Sequence, residues 1–175
     1  MSTAHPWLEG MPDTWPKKKL SRDQLEARIE RVINLTNMGY LATLGKNGPI
    51  VSPLEFYADR LSIFVFPQPG SPKEKAMERD PRISFACSNH MAGWACAMGA
   101  QFFGEAQLLE VGSPEWEYGM KIFKWPASSF EMGGSFDRPP QGRLMQLDPE
   151  RIVYTEHWLR KEGYAPRQIW RRHGD

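Results

Sequence analysis

Between Tyr40 and Phe66 the chain reverses direction every few residues, and this spacing restricts the fold more than any other feature. Tyr40–Leu44 alternates like a strand, Gly45-Lys46-Asn47-Gly48 is a turn, and Pro49–Tyr57 reads as the returning strand. Asn47-Gly48 offers the left-handed backbone that a tight hairpin requires. Ala58-Asp59-Arg60 predicts a second turn and Leu61–Phe66 a third strand. Pro53 falls inside the second strand and has no N–H to give to a ladder. That strand therefore belongs at an edge, at a bulge, or where a ligand replaces a neighbouring strand.

The flanking sequence supplies helices and further strands. Ser21 and Gln24 have capping-box spacing, Leu25, Ile29, Val32 and Ile33 form one helical face, and Gly39 is expected to end that helix. Gly70–Asp80 predicts a short helix with Ser71 as cap, Pro72 in the first position and Glu74 completing a capping box; Asp80-Pro81 stops it. Arg82–Ser88 reads as a fourth strand, with Ile83 and Phe85 on one face. Trp94–Glu110 contains a fifth, in which Gly104 marks a bend or a close backbone approach. Pro114–Phe123 predicts a helix capped by Ser113. Trp125–Gln141 is rich in Gly, Pro and Ser and predicts a long loop. Arg143–Leu147 and Arg151–Trp158 alternate well enough for a final strand or hairpin, followed by a basic, Trp-bearing tail. The expectation is an α+β, mainly β fold: an antiparallel barrel with a few flanking helices, in one domain spanning residues 21–175. Residues 1–20 read as an N-terminal arm, broken by Pro6, Pro12 and Pro16. Its Trp7 and Trp15 should lie across the body or a partner subunit.

A length of 175 residues suits one domain, and a net charge of +1 gives no electrostatic case for nucleic acid or an anionic membrane as partner. No apolar run approaches the roughly 20 residues that span a bilayer. The N-terminus lacks the apolar core of a signal peptide, so a cytoplasmic location is expected. Cys87 and Cys96 read as small buried side chains. His5, His90, His157 and His173 have no metal-site spacing, and no metal is expected. Seven Trp and nine Phe call for a large buried surface, a planar ligand or a subunit interface.

Gly70-Ser71-Pro72-Lys73-Glu74 carries the most specific chemistry. A helix start presents unpaired N–H groups and partial positive charge, which together bind phosphate. Lys73 in the first turn opposes the helix dipole unless an anion sits beside it. By itself the pattern also fits a capped surface helix.

In order, Leu41-Ala42-Thr43-Leu44 with Gly48-Pro49, Gly70-Ser71-Pro72-Lys73, Asp80-Pro81-Arg82-Ile83-Ser84 and Phe102-Phe103-Gly104-Glu105-Ala106 resemble the pyridoxamine-phosphate-oxidase-like, FMN-binding split-barrel superfamily. The resemblance runs from about Gly39 to Glu110. It implies a six-stranded antiparallel split barrel, homodimeric, with FMN in each of two interfacial clefts. By position, Ser71 and Lys73 would hold the flavin phosphate. Val51, Ser52, Pro53 and Leu54 would lie along the isoalloxazine, Phe66 and Pro67 would border the ribityl chain, and Gly99 and Gln101 would approach from the other subunit. Genuine pyridoxamine phosphate oxidases carry an arginine where this chain has Ser52 and a substrate-phosphate lysine where it has Tyr57. Pro72 replaces the arginine of their Ser-Arg-Lys, and their C-terminal Arg-Leu-His-Asp-Arg segment is not recognisable. Oxidation of vitamin B6 is therefore not expected.

Trp94, Trp125 and Trp158 are candidates to stack on flavin or substrate. The 125–141 loop, with Trp125, Phe130 and Phe136, is a candidate lid, and Arg138 or Arg143 could meet an anionic substrate there. Arg167, Arg171 and Arg172 read as a solvated basic end. These features point to an FMN-dependent oxidoreductase acting on a small planar or carbonyl-bearing substrate. The alternatives are a reductase using deazaflavin F420, for which no basic groove is visible, and a non-catalytic flavin or haem carrier with His90 or His157 as axial ligand.

Overall fold

The computed structural model describes residues 15–90, 93–131, 133–134 and 137–174. Most of the N-terminal arm, including Trp7, lies outside these residues, as does Phe136. What is described of the arm docks on its own chain. Lys18 bridges Tyr164 in parallel, and the Leu20 N–H donates to the buried Gln168 Oε1 at 3.1 Å.

The first helix, α1 (Arg22–Ile33), starts as its capping box dictates: Ser21 Oγ accepts from Gln24 N–H, and Gln24 Oε1 accepts from Ser21 N–H. It stops at Asn34, not at Gly39. Gly39 belongs to β1 (Met38–Gly45), where its role is packing. A Cβ there would sit 2.2 Å from Phe85 Cζ, in a ring that is 1% exposed.

β2 (Gly48–Glu55) returns along β1, with Gly45 opposite Gly48. The left-handed demand of this hairpin falls on Gly48 alone, at φ 132°, and not on Asn47. β2 pairs only with β1, so Pro53 stands on an edge strand. The expected single returning strand breaks at the buried Phe56, whose N–H donates to Asn37 O at 2.8 Å. Beyond that corner, β3 (Tyr57–Asp59) pairs with β4 (Ser62–Val65) through a turn in which Arg60 adopts φ 51°. Helix α2 (Pro72–Arg79) follows, then β5 (Arg82–Ser88) and the long β6 (Met98–Leu109). A 3-10 turn at Trp94–Cys96 occupies the start of the stretch read as the fifth strand.

The nine strands form one curled antiparallel sheet, where the sequence suggested six. Two leaves share β6. One runs β2-β1-β5-β6-β8-β9 and the other β6-β7-β4-β3. β7 (Leu144–Leu147) and β8 (Arg151–Glu156) are not a hairpin: β7 lies opposite residues 106–109 of β6 and β8 opposite residues 98–103. Three residues, 148–150, bulge against Gly104 and Glu105 between them. Gly104 is the close approach anticipated for it, because a Cβ would meet Leu147 Cδ1 at 3.0 Å and Asp148 O at 3.2 Å. The basic tail is not solvated throughout: β9 (Arg167–Arg171) pairs with β8 and buries Gln168 and Trp170.

Leu25, Ile29, Val32 and Ile33 of α1 pack on the first leaf, in one buried cluster with Leu41, Phe85, Phe102 and Ile152. On the far side of the second leaf, α3 (Pro114–Phe123) packs Trp116, Met120 and Phe123 on Phe64 and Leu144. The segment read as a long loop opens with a helix, α4 (Trp125–Glu131). No helix among the described residues is long and apolar enough to cross a membrane. Replacing Gly39 by Val should overpack the Phe85 site and cost about 1–3 kcal/mol. Urea denaturation should show a lowered midpoint with an unchanged slope.

Candidate functional site

After Val65 the chain leaves β4 as Phe66-Pro67-Gln68-Pro69 and reaches α2 at Ser71. Phe66 lies against Phe123, with centroids 6.0 Å apart, and Tyr57 meets the same ring edge-on at 5.4 Å. Lys124, at φ 53°, turns the chain sharply at the end of α3, so that α4 begins beside those rings. The result is a cleft of about 530 Å3 whose walls include Leu54, Phe66, Pro69, Phe123, Trp125 and Pro140. Glu55, Gln68 and Ser129 are polar residues on its lining. The volume and the mix of apolar wall with few polar groups suit a small organic ligand or part of a cofactor.

Pro69, on the cleft wall, stands two residues from the cap of α2. Ser71 is 9% exposed, and its Oγ accepts from Glu74 N–H at 3.4 Å, leaving its O–H to donate elsewhere. The Glu74 side chain reaches one residue past the capping-box position: Oε2 accepts from Gly70 N–H at 2.6 Å. Its Oε1 accepts from Arg143 Nε at 3.0 Å and Nη2 at 2.9 Å. Arg143 also donates to Glu78. Burial lowers its guanidinium pKa, but the Glu78 and Glu74 bonds outweigh that and raise it above the ordinary value. The helix start is thus less bare than its sequence suggested, since a carboxylate of the chain itself holds the Gly70 amide. The Ser71 hydroxyl and the half-buried Lys73 are left, and among the described residues no carboxylate pairs with Lys73.

Of the residues singled out in the sequence, the fold brings Leu54, Phe66 and Trp125 to the cleft. Ser52 and Leu54 share the inner face of the first leaf, opposite Leu41 and Gly39, whereas Val51 and Pro53 take the outer face, opposite Ala42 and Tyr40. Gly99 and Gln101 also lie on that outer face, in register with Ser88 and Ala86 on central strands. They do not reach the cleft of their own chain. Pro67 is buried beside the cleft, and Arg138 is exposed on the loop leading to Pro140. Tyr57 lines the neighbouring groove and donates its OH to Glu55 Oε1 at 2.9 Å. Trp158 is 49% exposed, with Lys161 Nζ 4.1 Å over its ring, and it does not line the cleft. Arg143 serves the Glu74 clamp and does not face the cleft. His90 is exposed, and His157 packs against Trp15 with its imidazole pKa lowered by burial and by Arg160. Neither lines the cleft.

Sequence reasoning missed Glu55, Phe123 and the Glu74–Arg143 clamp. A charged residue closing an apolar strand reads as solvated, and partners 69 residues apart leave no local pattern.

The family profile of pyridoxamine 5'-phosphate oxidase matches residues 25–156, and the chain belongs to that family. Its fold is similar to that of a haem-binding protein from Mycobacterium smegmatis (TM-score 0.65, 17% identity), covering 83% of this chain and 56% of that one. The chain therefore spans little more than half the length of the mycobacterial protein. It is also similar to an FAD-binding protein from Mesorhizobium loti, with TM-score 0.58 and 19% identity over 77% of this chain and 92% of that one. The haem storage protein HutZ from Vibrio cholerae matches with TM-score 0.58 and 20% identity, over 72% and 90%. No curated protein matches the sequence significantly.

Glu74 is 5% exposed, so removing its cation leaves a nearly buried charge short of partners. Arg143→Ala should cost about 2–4 kcal/mol, somewhat below a fully buried pair because Arg143 is partly exposed. Thermal denaturation of Arg143→Ala, with Glu74→Gln/Arg143→Ala recovering part of the loss, checks this.

Proposed function

We propose that the chain is an FMN-dependent oxidoreductase whose cofactor lies between the 54–69 cleft and the start of α2. One observation carries this reading. Phe66–Ser71 runs without interruption from an apolar cleft wall to a helix start where, among the described residues, Lys73 has no acidic partner. A flavin mononucleotide has the same two-part chemistry, a planar apolar ring system and a dianionic phosphate. The donor set fits it. The Ser71 O–H, the Lys73 ammonium and the α2 dipole would hold the phosphate, while Leu54 and Phe66 would offer apolar surface to the ring.

Bound FMN supplies hydride or single-electron transfer at N5. The chain's share is positioning. Leu54 and Phe66 fix the ring edge, and the Glu74–Arg143 clamp sets the pose of the phosphate loop. Trp125 and Pro140 exclude water from the cleft. The substrate is a small molecule admitted beside Trp125.

Two such sites in a homodimer follow from the outer face of the first leaf. There Tyr40 (54% exposed), Val51 (63%) and Met38 (46%) stand together as apolar surface, and Gly99 and Gln101 share the face. A second copy placed there is what would carry Gly99 and Gln101 to the other chain's flavin. FMN is favoured over haem and over F420 because, among the described residues, no histidine and no basic side chain lines the cleft. A flavin carrier without turnover is the remaining alternative, and oxidation of NADH or NADPH by the flavin-loaded protein separates it from an enzyme.

Lys73→Ala should weaken FMN by about 1.5–3 kcal/mol, the range for a charge-assisted hydrogen bond, and leave riboflavin, which lacks the phosphate, unchanged. Equal loss for both flavins in a fluorescence titration removes the phosphate assignment. For the dimer, Tyr40→Arg should halve the mass measured by light scattering. An unchanged mass moves the interface elsewhere.

A further inference from the structure

The chain's own carboxylate sits on an amide that an anion at the start of α2 would want. Gly70 N–H donates to Glu74 Oε2 at 2.6 Å, Ser71 N–H to Gln68 O at 3.0 Å, and Glu74 N–H to Ser71 Oγ at 3.4 Å. Pro72 has no N–H. Among the described residues this leaves the Lys73 N–H, with the Lys73 ammonium and the Ser71 O–H, to meet an anion. The Gly70 amide is the one that can change partner. Gly70 is exposed, at φ 73°, and nothing beyond its chain neighbours lies within 4 Å of the point a Cβ would take, so its outer side is open.

Glu74 also has somewhere to stay. Its other oxygen, Oε1, accepts from Arg143 Nε at 3.0 Å and Nη2 at 2.9 Å, so Oε2 can leave the amide while Oε1 keeps Arg143 and with it the pose of the loop. Arg143 does not neutralise the cluster, because the carboxylates of Glu74, Glu78 and, at 3.8 Å, Glu110 share its one guanidinium. Glu74 is 5% exposed, and little solvent screens its charge. A phosphate arriving at Ser71 and Lys73 therefore meets a like charge on the next available donor. We infer that Glu74 is an internal competitor of the phosphate: the ligand gains the Gly70 N–H only by displacing Oε2, and the flavin is held reversibly as a result. The inference rests on the proposed function in taking the start of α2 as the phosphate end of the site. A glutamine at this position keeps the shape, loses the charge and offers one acceptor oxygen in place of two.

The test is a fluorescence titration of the full-length protein with FMN and with riboflavin. Glu74→Gln should bind FMN on the order of fivefold tighter than the unmutated protein, the net worth of one hydrogen bond, and bind riboflavin equally well. Glu74→Met/Arg143→Met replaces the pair by apolar side chains and leaves the net charge unchanged. It should tighten FMN in the same direction, and it decides the matter if Glu74→Gln does not fold by circular dichroism. FMN binding that is unchanged or weaker in the folded variant, or a gain equal for both flavins, overturns the inference. Inorganic phosphate, followed by line broadening in phosphorus NMR, separates this result from the flavin reading. Phosphate binding that strengthens in Glu74→Gln, with no FMN uptake by any form, sustains the competitor and ends the flavin reading. FMN uptake that Lys73→Ala weakens and Glu74→Gln leaves untouched does the reverse.

Discussion

The bend in β6 at Gly104 is the constraint on which the other features rest. Up to Phe103 this strand carries β8 on one edge, and beyond Gly104 the same edge carries β7. The change of partner requires the three-residue bulge 148–150, and the bulge requires a residue without a side chain opposite it. Because of that bend the sheet divides into two leaves, and the buried face of α1 packs against strands of the first. The corner at Phe56 is the matching break on the other side of the barrel, where the returning strand passes from the first leaf to the second. Leu54 and Glu55 sit just before that corner and Phe66 just after β4. The cleft is therefore a product of how the sheet splits.

A second constraint acts on α2. Its first turn holds a lysine where the dipole prefers an acid, and the chain offsets this with Glu74, buried and held by Arg143. Arg143 in turn immediately precedes β7, and Gly142 fits so closely under Phe66 and Pro69 that a Cβ would come within 2.7 Å of the Phe66 ring. The helix start, the cleft wall and the base of the covering segment are thus one mechanical unit. A shift in any of them is transmitted through packed atoms and two charge-assisted bonds.

Much of this was legible in the sequence. The capping residues Ser21, Ser71 and Ser113 each cap as their spacing predicts, since capping is decided within four residues. The edge position of β2 is one of the three places that Pro53 allowed, and the close approach at Gly104 one of the two that a glycine in an otherwise bulky run allowed. Strand count did not follow, because Phe56 breaks a strand through a tertiary contact with Asn37, and β9 hides in a stretch whose Arg167 and Arg171 read as solvent-facing. Of the residues singled out beforehand, Leu54, Phe66 and Trp125 line the candidate cleft. The splitting of Val51–Leu54 between two faces follows from strand alternation and was available beforehand. Glu55 was not available: only the fold shows that the residue ending an apolar strand borders a cleft.

The ends of the sheet have a consequence for how the protein behaves at high concentration. A curled sheet that does not close leaves free borders, and free borders invite further strands to add in register. Here one border is β2, with Pro49 and Pro53 in place of two donors; another is β9, flanked by the cationic Arg167 and Arg171; the third is β3, only three residues long. Each defeats the growth of an endless ribbon by a different means. The molecule can keep a hydrophobic face uncovered for recognition without drifting into fibrils.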